Sequence, residues 1–161
     1  MFSSELDTAA QELILRCMAQ GKKIVVAESC TGGLLSGLLT SIAGSSKVLE
    51  RGFVTYSNEA KVELLGVDPD LILAHGAVSA NVAAAMAQGA LHHSHADIGL
   101  AITGIAGPGG GTADKPVGLV YFGIATRNAP VGVQKHRFGE VGRAQVREAA
   151  ITTALQILAA L

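Results

Sequence analysis

Apolar residues along this chain change period several times, and each change marks an element. Leu6, Ala10, Leu13 and Cys17 recur at steps of four, three and four, the spacing of one helical face. This predicts a helix over residues 4–20, capped by Ser4 and stopped by Gly21. Residues 23–28 (KIVVAE) then run apolar without alternation, as a strand buried on both faces does. Helical spacing returns at Leu34, Leu35, Leu38, Leu39 and Ile42, giving a helix from about 32 to 43 and a turn at 43–46. Val48 to Tyr56 reads as a second strand, β-rich at Phe53–Tyr56. Asn58 is placed to cap a helix over 59–65 that Gly66 stops. Asp68-Pro69 opens a short helical piece towards Ala74, closed by His75-Gly76, and Ser79 caps a helix over 80–92. Ile98 to Gly104 is a third buried strand. Residues 117–125 and 131–138 form a strand pair turned near Asn128-Ala129-Pro130, and Ile151, Leu155 and Leu158 place a closing helix at 142–160.

Helices before, between and after strands predict an α/β fold, a three-layer α/β/α sandwich. The pair at 117–138 is too closely connected to be parallel, so the sheet is expected to be mixed, mostly parallel, with about five strands. That argues against a plain Rossmann fold. No repeat, linker or composition shift divides the chain, and residues 1–161 read as one domain.

Composition narrows the classes. With 161 residues, 49% hydrophobic and 16% charged, the chain buries a sizeable core and is not disordered. A net charge of −1 gives no electrostatic reason for a nucleic-acid partner. A phosphate remains a candidate ligand, because backbone amides and one or two cations suffice to hold it. Two cysteines, Cys17 and Cys30, make no disulfide framework, and Cys17 falls on the core face of its helix. The acidic opening segment lacks a signal-peptide apolar region, and no apolar run reaches membrane-spanning length. A cytoplasmic protein with no membrane partner is expected. A homodimer fits a short apolar α/β domain, although no stripe marks an interface.

The chemistry-bearing residues sit at strand ends. Ser29 and Cys30 follow the first buried strand and precede Thr31, Gly32 and Gly33, where an open α/β sheet binds ligands and a helix start offers N–H groups to an anion. A nucleophilic serine needs a base. His75, His92, His93, His95 and His136 have no claim to that role, and no partner spacing turns His92-His93-x-His95 into a metal site. Lys61, third residue of a helix capped by Asn58, sits where the helix dipole disfavours a cation, and part-burial would push it towards the neutral form a base requires. Spacing alone favours an ordinary solvated lysine there. The glycine-rich segment Thr103–Thr112 follows another buried strand and is either a tight turn or a second source of N–H groups. Arg143, at the start of the last helix, either meets an anion or pairs with Glu140 on the surface. Cys30 offers a rival nucleophile, since a thiol near a helix start has a lowered pKa.

Four blocks together, Ala27–Gly33, Gly52–Asn58 with Lys61, Gly76–Ser79 and Ile102–Gly110, resemble the CinA C-terminal domain family, the nicotinamide mononucleotide (NMN) deamidases of the PncC type. The resemblance covers nearly the whole chain. It implies a serine–lysine amidohydrolase that converts NMN to nicotinate mononucleotide and ammonia without cofactor or metal. It implies Ser29 as nucleophile, Lys61 as its base and Tyr56 assisting. It directs Thr31, Gly32, Gly33, Thr103, Gly104, Ala106 and Gly107 to the nucleotide, and Arg143 to its phosphate. A non-catalytic domain that binds a nucleotide or a partner protein is the alternative.

Overall fold

A computed structural model describes residues 2–161. Strands β1 (Ile24–Glu28), β2 (Leu49–Val54), β3 (Ile98–Gly104), β4 (Leu119–Thr126) and β5 (Ala129–Arg137) form one sheet in the order β2-β1-β3-β4-β5. β1 is parallel to β2 and β3, while β4 is antiparallel to β3 and β5. Four strands therefore run one way and β4 alone is reversed, giving the mixed, mostly parallel sheet that the pattern predicts.

Helices α1 (Ser4–Gln20), α2 (Leu34–Ser41) and α6 (Arg143–Ala159) cover one face. Helices α3 (Asn58–Leu65), α4 (Pro69–His75) and α5 (Ala80–His92) cover the other. Alternate side chains of β1 divide between the layers: Ile24 and Val26 join the core under α2, Val25 and Ala27 the core under α5. Full burial of Ile24, Val25 and Val26 contributes roughly 1.5–3 kcal/mol each. Cys17 lies in the first of these cores, as expected. The second layer packs unusually close to the sheet. A Cβ on Gly99 would stand 2.8 Å from the Ala87 carbonyl oxygen, and one on Gly123 would strike the Ala83 carbonyl.

The corrections are local. Ser3, not Ser4, caps α1, its Oγ accepting from the Leu6 N–H. Ser57, not Asn58, caps α3, accepting from the Ala60 N–H, so Lys61 is the fourth helical residue and not the third. In both places two cap-competent residues stand in a row, and apolar spacing cannot choose between them. Residues 32–33 are turn, with φ of +59° at Gly32 and +95° at Gly33, so α2 starts later than its periodicity predicts. The turn after α2 contains a 3-10 segment at Ser45–Lys47. The hairpin turns at 127–128, so Pro130 lies inside β5, which is tolerated because β5 is an edge strand.

Candidate functional site

The three parallel strands β2, β1 and β3 end side by side, and the segments that leave them carry the polar residues singled out above. Ser29 directly follows β1, the middle strand of the three. Its N–H donates to the Ile102 carbonyl at 2.9 Å, which pins the turn to β3, and its side chain is 9% exposed. Lys61 reaches the same point from the first turns of α3 and is only 1% exposed. Its Nζ lies 3.1 Å from Ser29 Oγ, 2.9 Å from the Thr55 carbonyl and 3.3 Å from the Ser57 carbonyl. Burial depresses this amine's pKa below its ordinary 10.5, opposed only in part by Cys30 and Glu59.

Two carbonyls can only accept, so they take two amine hydrogens. In the neutral amine those are the only hydrogens, and the lone pair is left facing the Ser29 hydroxyl. Serine and lysine, 32 positions apart in the chain, thus form a buried hydrogen-bonded pair. Cys30 behaves otherwise. It is 6% exposed, and burial pushes its thiol up to about 11, with the charge of Glu28 acting in the same direction. The lowered thiol pKa expected of a helix start is overridden, because the thiol is packed into the apolar core.

The start of α2 is not free for a ligand. Glu28, fully buried at the end of β1, accepts from the N–H groups of Gly33 and Leu35 on one oxygen, at 3.1 and 3.0 Å. Its other oxygen accepts from the N–H and Oγ of Ser36, at 2.8 and 2.7 Å. The expectation that Gly33 offers its N–H to a bound anion is therefore corrected: an internal carboxylate already holds it. Among the described residues, the N–H groups of Cys30 and Thr31 donate to no backbone or side-chain oxygen. A signal for Glu28 does exist in the sequence. It is a carboxylate ending an apolar strand, five residues before Gly33, a helix cap position with no side chain.

On the rim, Arg143 opens α6 and donates to the Gly107 carbonyl at 2.9 Å and to the Tyr56 hydroxyl at 2.7 Å. It does not pair with Glu140. The sole ion pair among the described residues is Arg51–Glu50, so the guanidinium of Arg143 carries an uncompensated charge. Tyr56, 59% exposed, meets Arg143 and not the Ser29–Lys61 pair. Arg147, one turn further and missed by the sequence pattern, donates to the Thr31 carbonyl at 2.9 Å, while its buried Nε has no partner. The i,i+4 spacing from Arg143 is the signal that could have found it. Thr103 turns its hydroxyl away, donating to the Ala77 carbonyl at 2.8 Å and tying the Gly76–Ser79 segment to β3. Gly104 and Gly107 serve close packing: a Cβ there would lie 2.7 Å from Val120 Cγ2 and 2.6 Å from Val117 Cγ1 respectively. Ala106 is buried beside them. The five histidines lie elsewhere, and among the described residues no cluster of His, Cys, Asp or Glu is arranged to hold a metal.

The chain matches the CinA C-terminal domain over residues 6–161. It belongs to the CinA C-terminal domain family. A CinA-like protein of Acidobacterium capsulatum is 45% identical over 158 residues, which are 98% of this chain and 38% of that protein. One from Chlorobaculum tepidum is 53% identical over 135 residues, 82% of this chain and 32% of the relative. The chain thus spans about a third of the length of the curated relatives it matches. Among solved structures, the competence/damage inducible protein CihA from Agrobacterium tumefaciens superposes with a TM-score of 0.97 at 48% identity, covering 99% of this chain and 97% of that one. A CinA superfamily protein from Escherichia coli gives a TM-score of 0.91 at 32% identity, covering 100% and 94%. These structures share the three-layer fold. Among the described residues of this family member, no helix is long and apolar enough to cross a membrane.

Proposed function

We propose that this CinA-family chain is a serine–lysine amidohydrolase that converts NMN and water to nicotinate mononucleotide and ammonia. The observation that carries the reaction class is the Lys61 amine, buried, turned towards the neutral form and held by two carbonyls against Ser29 Oγ at 3.1 Å. The choice of NMN rests on the resemblance of the four motif blocks to NMN deamidases.

In this reading neutral Lys61 takes the Ser29 proton as Oγ attacks the carboxamide carbon. The N–H groups of Cys30 and Thr31, uncommitted and adjacent to the nucleophile, are the donors for the developing oxyanion, each worth about 3–4 kcal/mol. The C–N bond breaks, and Lys61 returns its proton to the leaving ammonia. Water then attacks the ester, again through Lys61, releasing the carboxylate and restoring Ser29. Arg143, with no acidic partner and at a helix start, suits the substrate phosphate, and its bond to Tyr56 makes those two residues one wall of the site. Burial of the Cys30 thiol speaks against the cysteine alternative.

Purified protein mixed with NMN should release ammonia and nicotinate mononucleotide in equal amounts, and Ser29→Ala should lose at least 99% of that rate, as about 10²–10⁴-fold effects do for such groups. Ammonia release by Ser29→Ala at half the wild-type rate would remove Ser29 as nucleophile. No release by wild type would favour the non-catalytic binding domain.

A further inference from the structure

The most heavily bonded polar side chain among the described residues near Ser29 is one to which neither the family resemblance nor the proposed chemistry gives a role. Glu28 is 0% exposed, sits next to Ser29 in the chain and receives four hydrogen bonds, one from the cap residue Gly33 and three from the first turn of α2. A buried carboxylate without donors costs several kcal/mol, so four donors on one group mark a built arrangement. Through its main chain the same residue is fixed from the opposite side, because its carbonyl accepts from the Thr55 N–H at 2.8 Å. Thr55 is also the residue whose carbonyl holds the Lys61 amine. Glu28 therefore joins the strand, the turn that carries Ser29, the helix behind that turn and the segment that orients the lysine.

We infer that Glu28 is a positioning residue: its carboxylate stands in for a helix cap at α2 and locks the turn 29–33 so that Ser29 Oγ meets Lys61. The inference rests on the serine–lysine reading. Gly33, at the cap position of α2, has no side chain to supply a cap, and Gly32 and Gly33 both hold positive φ, so the turn has little stiffness of its own. Removing the carboxylate leaves the buried Leu35 N–H without its acceptor and lets the turn relax. A displacement of about 1 Å between reacting groups costs on the order of 10²-fold in rate. Gly52 on β2 gives an independent handle. A Cβ there would meet the Ser36 hydroxyl and stand 3.2 Å from Ser36 Cβ, turning that hydroxyl off Glu28. Gly52→Ala thus loosens the arrangement without touching Glu28, Ser29 or substrate.

The test needs no nucleotide. Phenylmethylsulfonyl fluoride is attacked by an activated serine: the Oγ–S bond forms, fluoride leaves, and the base takes the hydroxyl proton. Mass spectrometry gives the rate of modification at Ser29 for wild type, Glu28→Gln and Gly52→Ala, with melting temperature and circular dichroism recorded beside it. Glu28→Gln keeps the shape but turns an NH2 group towards N–H donors. Modification of the folded variant should slow on the order of 10²-fold, and Gly52→Ala should slow it several-fold, with the pH midpoint set by Lys61 unmoved in both. A merely structural role would lower the melting temperature and leave the rate per folded molecule at the wild-type value, which overturns the inference. Should Glu28→Gln fail to fold, Gly52→Ala decides: slower modification supports the assignment and an unchanged rate removes it. If wild type is not modified at Ser29, the serine–lysine reading falls and this inference with it. If wild type reacts and the folded variants react equally fast, only this inference falls.

Discussion

Replacing Lys61 by methionine removes the amine but keeps a chain of similar length at a position only 1% exposed. The activity effect follows from the proposed base role, and ammonia release should fall about 10²–10⁴-fold. Stability should move in a way that depends on pH. The native amine's pKa lies below the 10.5 of the unfolded chain, because burial penalises its charged form. Between those two values the unfolded state binds more protons than the native state, so wild-type stability rises with pH, by at most about 1.4 kcal/mol per pH unit. Below the native pKa and above 10.5 this contribution is flat. Lys61→Met lacks the step. It loses three hydrogen bonds, each worth about 1 kcal/mol net, but no longer buries an ionisable group. The variant should therefore compare best with wild type at low pH, and its standing should worsen as pH rises through the window. Urea melts of both proteins from about pH 6 to about pH 10.5 measure the height of the rise, and dividing it by about 1.4 kcal/mol gives how far the native pKa lies below the free value. A kcat/KM profile of wild type must show its rising limb at that same pH and then level off. Two experiments that share no observable thus have to return one number. A stability difference independent of pH, or ammonia release by Lys61→Met within tenfold of wild type, would refute the neutral-base argument.

Arg143→Ala should raise KM for NMN more than it lowers kcat, while nicotinamide riboside, which lacks the phosphate, should be a poor substrate that the substitution barely affects. Equal damage to both substrates would give Arg143 another role. Cys30→Ala should retain most of the ammonia release, because burial holds the thiol up to about 11 and out of its reactive form; activity lost as completely as in Ser29→Ala would reinstate the thiol. Gly123→Ala, on β4, should destabilise by about 1–3 kcal/mol in urea melts, since its methyl group would strike the Ala83 carbonyl of α5, and a melt unchanged from wild type would mean that α5 is free to shift.

Element type and order are legible in the chain because they arise from local patterning. Unbroken apolar runs such as residues 24–27 are satisfied by burial on both faces, and the spacing Leu6, Ala10, Leu13, Cys17 presents one face as a helix. The short connection between β4 and β5 likewise dictates an antiparallel pair. Ser29 is visible as a candidate because a strand-to-helix turn with two glycines is a local feature. Lys61 is different. Spacing alone leaves it an ordinary surface lysine, because its burial comes from elements distant in sequence that meet at the ends of three parallel strands. The same holds for Cys30, whose pKa is set by the core around it and not by the nearby helix start. Arg143 could be paired with Glu140 in sequence, yet packing of α6 against the β3 loop brings it to Gly107 and Tyr56. Glu28 makes the division clearest. The chain shows a carboxylate ending an apolar strand, which needs donors. Only the folded turn shows that those donors are the N–H groups of α2, because a hydrogen-bonding requirement is written in one residue while its fulfilment depends on where the backbone returns.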